Sequence, residues 1–225
     1  MSGDHLDPEA TTQRSIERVS PALLSRAQGF PSATLHEAAG KIGALPAAIK
    51  PVAASFRVCG PAVTVHSPPG DNLWLHRAIY VAQPGDILVI SVSGHYDAGY
   101  WGEIMSSAAK AQQLGGLVID GCVRDGAILE QFGFPVFARG LCIRGTNKDF
   151  GARGWINAPL LLEDITVSPG DLVLGDADGV VVIPRDKVAA TLDAAQAREE
   201  KEAGIIKRLQ AGESTLDIYG WKVPA

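Results

Sequence analysis

Arg124 and Asp125 stand side by side in the run Asp120-Gly121-Cys122-Val123-Arg124-Asp125-Gly126. A guanidinium presents a planar fork that grips a carboxylate through two parallel hydrogen bonds and keeps its charge at physiological pH. A carboxylate beside it is a ligand for a hard divalent cation. The pair suits metal-assisted chemistry on a small oxo-acid. Each residue also has a plainer reading. Arg124 could form a surface ion pair with Asp125 or Glu130, and Asp125 could cap a helix over 126–131. As a metal ligand Asp125 would be solitary, with no second carboxylate within four residues. That favours Mg²⁺ or Mn²⁺, which keep several waters, over zinc or calcium.

Other candidates surround this pair. Glu103 opens a helix expected from Gly102 to Leu114, where it complements the helix dipole. It could equally position a water or move a proton beside an anion held on the free first-turn amides. Asn72 and His76 are four apart, share one helix face and could reach one ligand. A turn, an N-cap and a satisfied helix histidine is the plainer account of Gly70-Asp71-Asn72 with His76. Lys148 lies in the polar loop Gly145-Thr146-Asn147-Lys148-Asp149. Solvation is its default, and the polar setting argues against a Schiff-base role. Glu199 and Glu202 lie three apart on a charged C-terminal helix; a solvated face explains both unless the helix reaches a site. Cys59, Cys122 and Cys142 have no zinc-like spacing, and Cys122 reads as a small buried residue rather than a nucleophile.

These side chains need a scaffold. Apolar runs bounded by turn residues predict strands at 56–66, 87–92, 117–120, 134–138 and 141–144. Helical spacing predicts helices over 72–82, 102–114 and 126–131, so the order is β-α-β-α-β-α-β, an α/β sheet. The arginine turn then falls at a strand's carboxyl end, the edge where open α/β sheets bind ligands. Residues 1–14 read as frayed, a short helix is expected near Pro21, and Thr34-Leu35-His36-Glu37 reads as a capping box starting a helix at Thr34. The last third holds strands at 160–167, 172–174 and 180–183, then a polar helix over 185–211 that suits an arm or an intersubunit contact. Ser168-Pro169-Gly170-Asp171 echoes Gln83-Pro84-Gly85-Asp86, two good turns each leading into a strand. The resulting divisions are an N-terminal extension over 1–30, an α/β core over 31–185, and a C-terminal helix and tail over 186–225.

A chain of 225 residues can bury roughly 70% of its unfolded surface, enough for a core without disulfide staples. Its net charge of −5 offers nothing to a polyanion, which argues against nucleic-acid binding. No apolar run is long enough to cross a bilayer, and Met1–Glu9 lacks the features of a signal peptide, so a cytoplasmic location is expected.

Several of these segments resemble a known family. Gly70-Asp71-Asn72, Tyr100-Trp101-Gly102-Glu103, Val118-Ile119-Asp120-Gly121, Arg124-Asp125, Gly145-Thr146 with Lys148, Asp176 with Gly179, and Gly212-Glu213 with Asp217-Ile218-Tyr219-Gly220 look like the class II pyruvate aldolases of the 4-hydroxy-4-methyl-2-oxoglutarate / 4-carboxy-4-hydroxy-2-oxoadipate type. The superfamily also contains the regulator of ribonuclease activity A. The resemblance covers about residues 30–222. It implies an α/β/β/α sandwich of the swivelling-domain type with a C-terminal helical arm, trimers or hexamers with sites between subunits, and Mg²⁺ or Mn²⁺. It implies that Asp125 binds the metal and that Arg124 holds the pyruvyl carboxylate and stabilises an enolate. The backbone amides from Gly102 through Glu103 and Ile104 to Met105 would cradle the carboxylate, and Glu103 would move protons through water. Asn72, His76 and Lys148 would face the distal carboxylate, and Glu202, or Glu199 in its stead, would reach a neighbour's metal shell. The implied reaction is retro-aldol cleavage of a 4-hydroxy-2-oxo di- or tricarboxylic acid to pyruvate and an oxo-acid, as in aromatic degradation, with oxaloacetate decarboxylation as a side activity. The alternative is a non-catalytic protein-binding regulator. Ile128 departs from the family's frequent acidic residue three after the aspartate, which leaves the natural substrate open. Some relatives are called demethylmenaquinone methyltransferases, but the chain has no G-x-G-x-x-G strand–helix signature.

Overall fold

One strand organises the sheet. The structure, a computed structural model, describes residues 7–222. After α1 (Pro21–Ala27), α2 (Ser32–Ala38) and the short β1 (Lys50–Pro51), β2 (Val58–His66) runs through the centre of the molecule. It is apolar on both faces, as a strand covered on both sides must be. Then follow α3 (Leu73–Ile79), β3 (Ile87–Ser91), α4 (Glu103–Ala111), β4 (Gly116–Asp120), β5 (Cys122–Val123), α5 (Gly126–Phe132), β6 (Val136–Ala138) and β7 (Gly140–Leu141). The last third carries β8 (Trp155–Ile156), β9 (Leu160–Leu162), β10 (Ile165–Val167), β11 (Leu172–Asp176), β12 (Gly179–Ile183), α6 (Val188–Gln210) and α7 (Thr215–Ile218).

The sheet order is β1-β6-β4-β3-β2-β11-β12, with β8 paired to the end of β2. β2, β3, β4 and β6 are parallel, whereas the β11–β12 hairpin joins antiparallel. Residues 44–50 draw the two edges together. Leu45 N–H donates to Val180 O at 2.9 Å, the Lys50 ammonium donates to Asp178 O, and β1 pairs with β6. The sheet is thus nearly closed.

Alternation along the strands builds the layers. Val63, Val65, Leu88, Ile90, Leu117 and Ile119 face α3, α4 and α5. Ala62, Val89, Val118 and Phe137 face inward against Val173, Val180 and Val182. The outer side of the β11–β12 hairpin packs on Phe30, Leu35, Val188 and Leu192 from the N-terminal segment, α2 and α6. Helix, sheet, sheet and helix therefore stack as the α/β/β/α arrangement. The buried residues of α6, Val188, Thr191, Leu192 and Ala195, all lie in its first half.

Several local expectations are corrected. The Thr34 capping box does not form. α2 begins at Ser32 after Pro31, and Asp176 takes both the Ser32 amide (2.8 Å) and its hydroxyl (2.6 Å). The 141–144 strand ends at Leu141, and Ile143 is fully in solvent. The 160–167 strand is a hairpin turned at Glu163, whose φ is 54°. The helix expected over 72–82 is confined to Leu73–Ile79. Of the segment read as frayed, Met1–Leu6 lies outside the described residues. Pro8–Thr11 forms a 3₁₀ turn, and Gln13 bonds Ile156 O (3.1 Å) and the Asn157 side chain (2.7 Å).

Candidate active site

The loops leaving the carboxyl ends of β2, β3 and β4 meet the 145–149 loop around a cavity of about 210 Å³. Its near wall is the arginine turn. Residues 99–102 lie alongside β5, with Tyr100 N–H on Cys122 O (3.0 Å) and Arg124 N–H on Trp101 O (2.8 Å). Two glycines permit this approach. A Cβ on Gly99 would stand 2.2 Å from Cys142 O, and one on Gly102 would stand 2.3 Å from Asp125 Oδ2.

Arg124 is half exposed, and its Nε is 3.7 Å from Asp125 Oδ2, beyond hydrogen-bond range. Among the described residues its guanidinium has no hydrogen-bond partner and no pairing with Glu130. Asp125 sits at the N-cap position of α5 with φ 63° and ψ 32°, but its side chain caps nothing there. The left-handed backbone, which aspartate tolerates better than most residues, accompanies a carboxylate directed to the start of α4. Asp125 Oδ2 accepts the Glu103 N–H at 3.1 Å. One of the four amides expected to cradle an anion is therefore already held, and those of Ile104 and Met105 remain as first-turn donors with no intrahelical acceptor.

The far wall comes from α3 and the 145–149 loop. Asn72 is buried, and its Nδ2 donates to Tyr100 O at 2.9 Å. That fixes the amide's orientation and leaves Oδ1 buried with no partner among the described residues. His76, one turn on, is held below the usual histidine pKa, first by burial and then by the Lys148 charge, with Asp71 opposing. Lys148 is exposed at the rim. The Tyr100 hydroxyl accepts the Gly70 N–H at 2.7 Å and donates to His95 O at 3.0 Å, tying two loops together. Burial pushes its pKa upward.

Most expected site residues converge. Asn72, His76, Gly102 and Ile104 line the cavity, as do Met105, Arg124 and Lys148. The Glu103 side chain is exposed outside the lining, and Asp125 stands behind Gly102. Glu202 is not brought here within one chain. It pairs with Arg198 at 2.8 Å, and Arg198 lies 3.7 Å from Glu37 of α2, on the layer opposite α3 and α4. Four further lining residues, Tyr100, Trp101, Gly145 and Thr146, enter the sequence analysis only as parts of motifs. Tyr100 is an aromatic in a glycine-rich loop, but its bond to Gly70 spans 30 residues and leaves no trace in local spacing.

Among the described residues no three His, Cys, Asp or Glu side chains gather around one point. A lone carboxylate with one oxygen anchored and the other unengaged suits a cation that takes one protein ligand and keeps its waters. Asp125 therefore fits Mg²⁺ or Mn²⁺.

A family model described as RraA-like (Aldolase/RraA) matches residues 32–182. The chain belongs to the RraA-like family. A relative from Halalkalibacterium halodurans, provisionally named a 4-hydroxy-4-methyl-2-oxoglutarate aldolase, is 34% identical over 177 residues, covering 79% of this chain and 83% of that one. A crystal structure of an uncharacterized protein from Pseudomonas syringae pv. tomato superposes with a TM-score of 0.77 at 30% identity, covering 89% of this chain and 93% of the other. Streptomyces coelicolor RraAS2, described as an unusual member of the RNase ES inhibitor RraA protein family, superposes at 0.74 with 25% identity over 84% and 98% of the two chains. RraA-like proteins thus bear both aldolase and inhibitor names. No helix among the described residues is long and apolar enough to cross a membrane.

Proposed function

We propose that this RraA-like protein is a class II pyruvate aldolase that cleaves a 4-hydroxy-2-oxo di- or tricarboxylic acid to pyruvate and an oxo-acid. The observation that carries the reading is a two-ended anion site. Arg124, without a hydrogen-bond partner among the described residues, stands on one wall of the cavity, and Lys148 and His76 stand on the other. A substrate with a carboxylate at each end suits that arrangement.

Arg124 grips the 2-oxo carboxylate, and the Ile104 and Met105 amides at the positive end of α4 add hydrogen bonds. Asp125 would hold Mg²⁺ or Mn²⁺, which would supply a Lewis acid for the 2-oxo group. Glu103, acting through a water, takes the C4 hydroxyl proton. The C3–C4 bond then breaks, its electron pair delocalises into the pyruvate enolate, and Arg124 stabilises the developing negative charge. Return of a proton to C3 releases pyruvate. Asn72, His76 and Lys148 hold the distal carboxylate. Oxaloacetate decarboxylation leads to the same enolate and is the expected side activity. Glu202 or Glu199 completes the metal's surroundings only from a neighbouring copy, so the exposed half of α6 is read as an intersubunit element of a trimer or hexamer.

The test is pyruvate release coupled to lactate dehydrogenase, with oxaloacetate and a 4-hydroxy-2-oxo diacid, in Mg²⁺ and then in EDTA. Turnover that needs the cation and is lost in Arg124→Ala is the expected result. A folded, cation-supplied oligomer that turns over neither substrate would leave the second reading, a non-catalytic protein-binding regulator, which rests on the likeness to RraAS2.

A further inference from the structure

The wall opposite Arg124 is made of two segments far apart in sequence, the 67–72 turn and the 145–154 loop. One buried side chain joins them. Asp71 is 3% exposed. Its Oδ1 accepts the Leu73 N–H at 2.8 Å, the local bond of an ordinary Asx turn. Its Oδ2 accepts the Asp149 N–H at 2.5 Å, across 78 residues and next to Lys148. The surrounding backbone follows the same seam. Asn72 N–H donates to Asn147 O at 3.2 Å, and Asn147 N–H donates to Gly70 O at 2.8 Å. Trp74 Nε1 donates to Ala152 O at 3.0 Å. A turn alone would be served by one oxygen on the surface. A carboxylate carried into the interior is expensive, and it is retained here by two charge-assisted bonds that pin separate segments.

We propose that Asp71 is a positioning residue for substrate selection. Its carboxylate holds the Lys148-bearing loop against the start of α3 and so sets Lys148 and His76 at the spacing that reads the substrate's distal carboxylate. The substrate half of this proposal rests on the aldolase reading above. Asn72, next in sequence, is fixed by the same seam, so Asp71 orders three side chains of the far wall without itself lining the cavity.

Asp71→Asn is nearly isosteric. Its one oxygen can still serve Leu73, but its amide N–H₂ then faces the Asp149 N–H, donor against donor. The readout is the ratio of kcat/KM for a 4-hydroxy-2-oxo diacid over a 4-hydroxy-2-oxo monoacid of equal chain length. That ratio is expected to fall about tenfold in Asp71→Asn, the size of one charge-assisted hydrogen bond, mainly through KM of the diacid. Lys148→Met lowers the same ratio, and the double variant lowers it no further than Lys148→Met alone, because both changes disable one recognition element. Equal losses on both substrates, or a double variant whose ratio is the product of the singles, would overturn the proposal. Hydrogen exchange gives a readout independent of turnover. Asp71→Asn is expected to speed exchange across 145–154 while leaving 120–126 unchanged. Unaltered exchange there removes the clasp whatever the kinetics. Raised exchange in a protein whose wild type cleaves neither substrate overturns substrate selection and the aldolase reading together while leaving the clasp.

Discussion

The two ends of the parallel strands differ in the charges they leave free. At the amino end of β3, Asp86 in the Gln83-Pro84-Gly85-Asp86 turn is fully buried. It takes two 2.8 Å bonds from Arg18 and one of 2.7 Å from Gln83 N–H. The echoing turn before β11 buries Asp171 against Ser168 N–H (2.8 Å) and Arg185 N–H (3.0 Å). The 17–18 segment ties both turns together. Arg18 reaches one, and Glu17 O lies so close to Gly170 in the other that a Cβ there would stand 1.8 Å away. The carboxyl end also buries and pairs Asp71 and Asp120, but it leaves Arg124 and Lys148 exposed. The same residue types secure the fold where they are buried and paired, and are available to a ligand where they are not.

The contrast breaks most visibly at Arg18. Arg18→Met strands the buried Asp86 carboxylate and should cost about 3–5 kcal/mol of unfolding free energy, while pyruvate release per folded molecule stays at the wild-type level. A denaturant titration checks the first part; a loss below about 1 kcal/mol would erase the distinction between the two ends. Arg124→Ala should do the reverse. Turnover falls about 10²–10³-fold, and unfolding free energy changes by no more than about 0.5 kcal/mol. Gly102→Ala pushes a methyl into Asp125 Oδ2 and against the Arg124 side chain, and a tighter-than-contact clash of this kind typically costs about 1–3 kcal/mol. Here it should appear as weaker Mn²⁺ binding in a titration followed by paramagnetic resonance, with the fold retained.

The smallest effect is in pH. His76 is held below its ordinary pKa by burial and by Lys148, so it is neutral at pH 7.5. Protonation, which begins only below the ordinary histidine range, adds positive charge to the far wall, and KM for a diacid should fall about two- to fivefold as pH drops through that transition, the size of a solvent-screened pair. In His76→Asn that slope should vanish. The sign for stability is opposite. With the folded pKa depressed, the His76 contribution is present above the unfolded value and is lost as pH falls through the folded one.

Much of this was legible in the sequence because it is local. The apolar runs of β3 and β4, the turn residues before them and the glycine-bounded Arg124-Asp125 pair all carry their signal within about ten residues. What escaped joins distant positions. The first turn of α2 is satisfied by Asp176, 144 residues away, so a capping box at Thr34 was the wrong local solution. Asp125 was weighed as a cap for its own helix, whereas its carboxylate serves α4, 22 residues back. The seam at Asp71 is longer still.

The cavity between Arg124 and Lys148 makes the protein a detector of its own ligand. A ligand that binds the folded chain and not the unfolded one draws the equilibrium toward the folded state. Any compound that seats there raises the melting temperature, by about 2.7 kcal/mol of added stability at a hundredfold excess over its Kd. Heating the protein against a panel of hydroxy-oxo acids would rank candidate substrates by fit, with no reaction to follow and no product to know in advance.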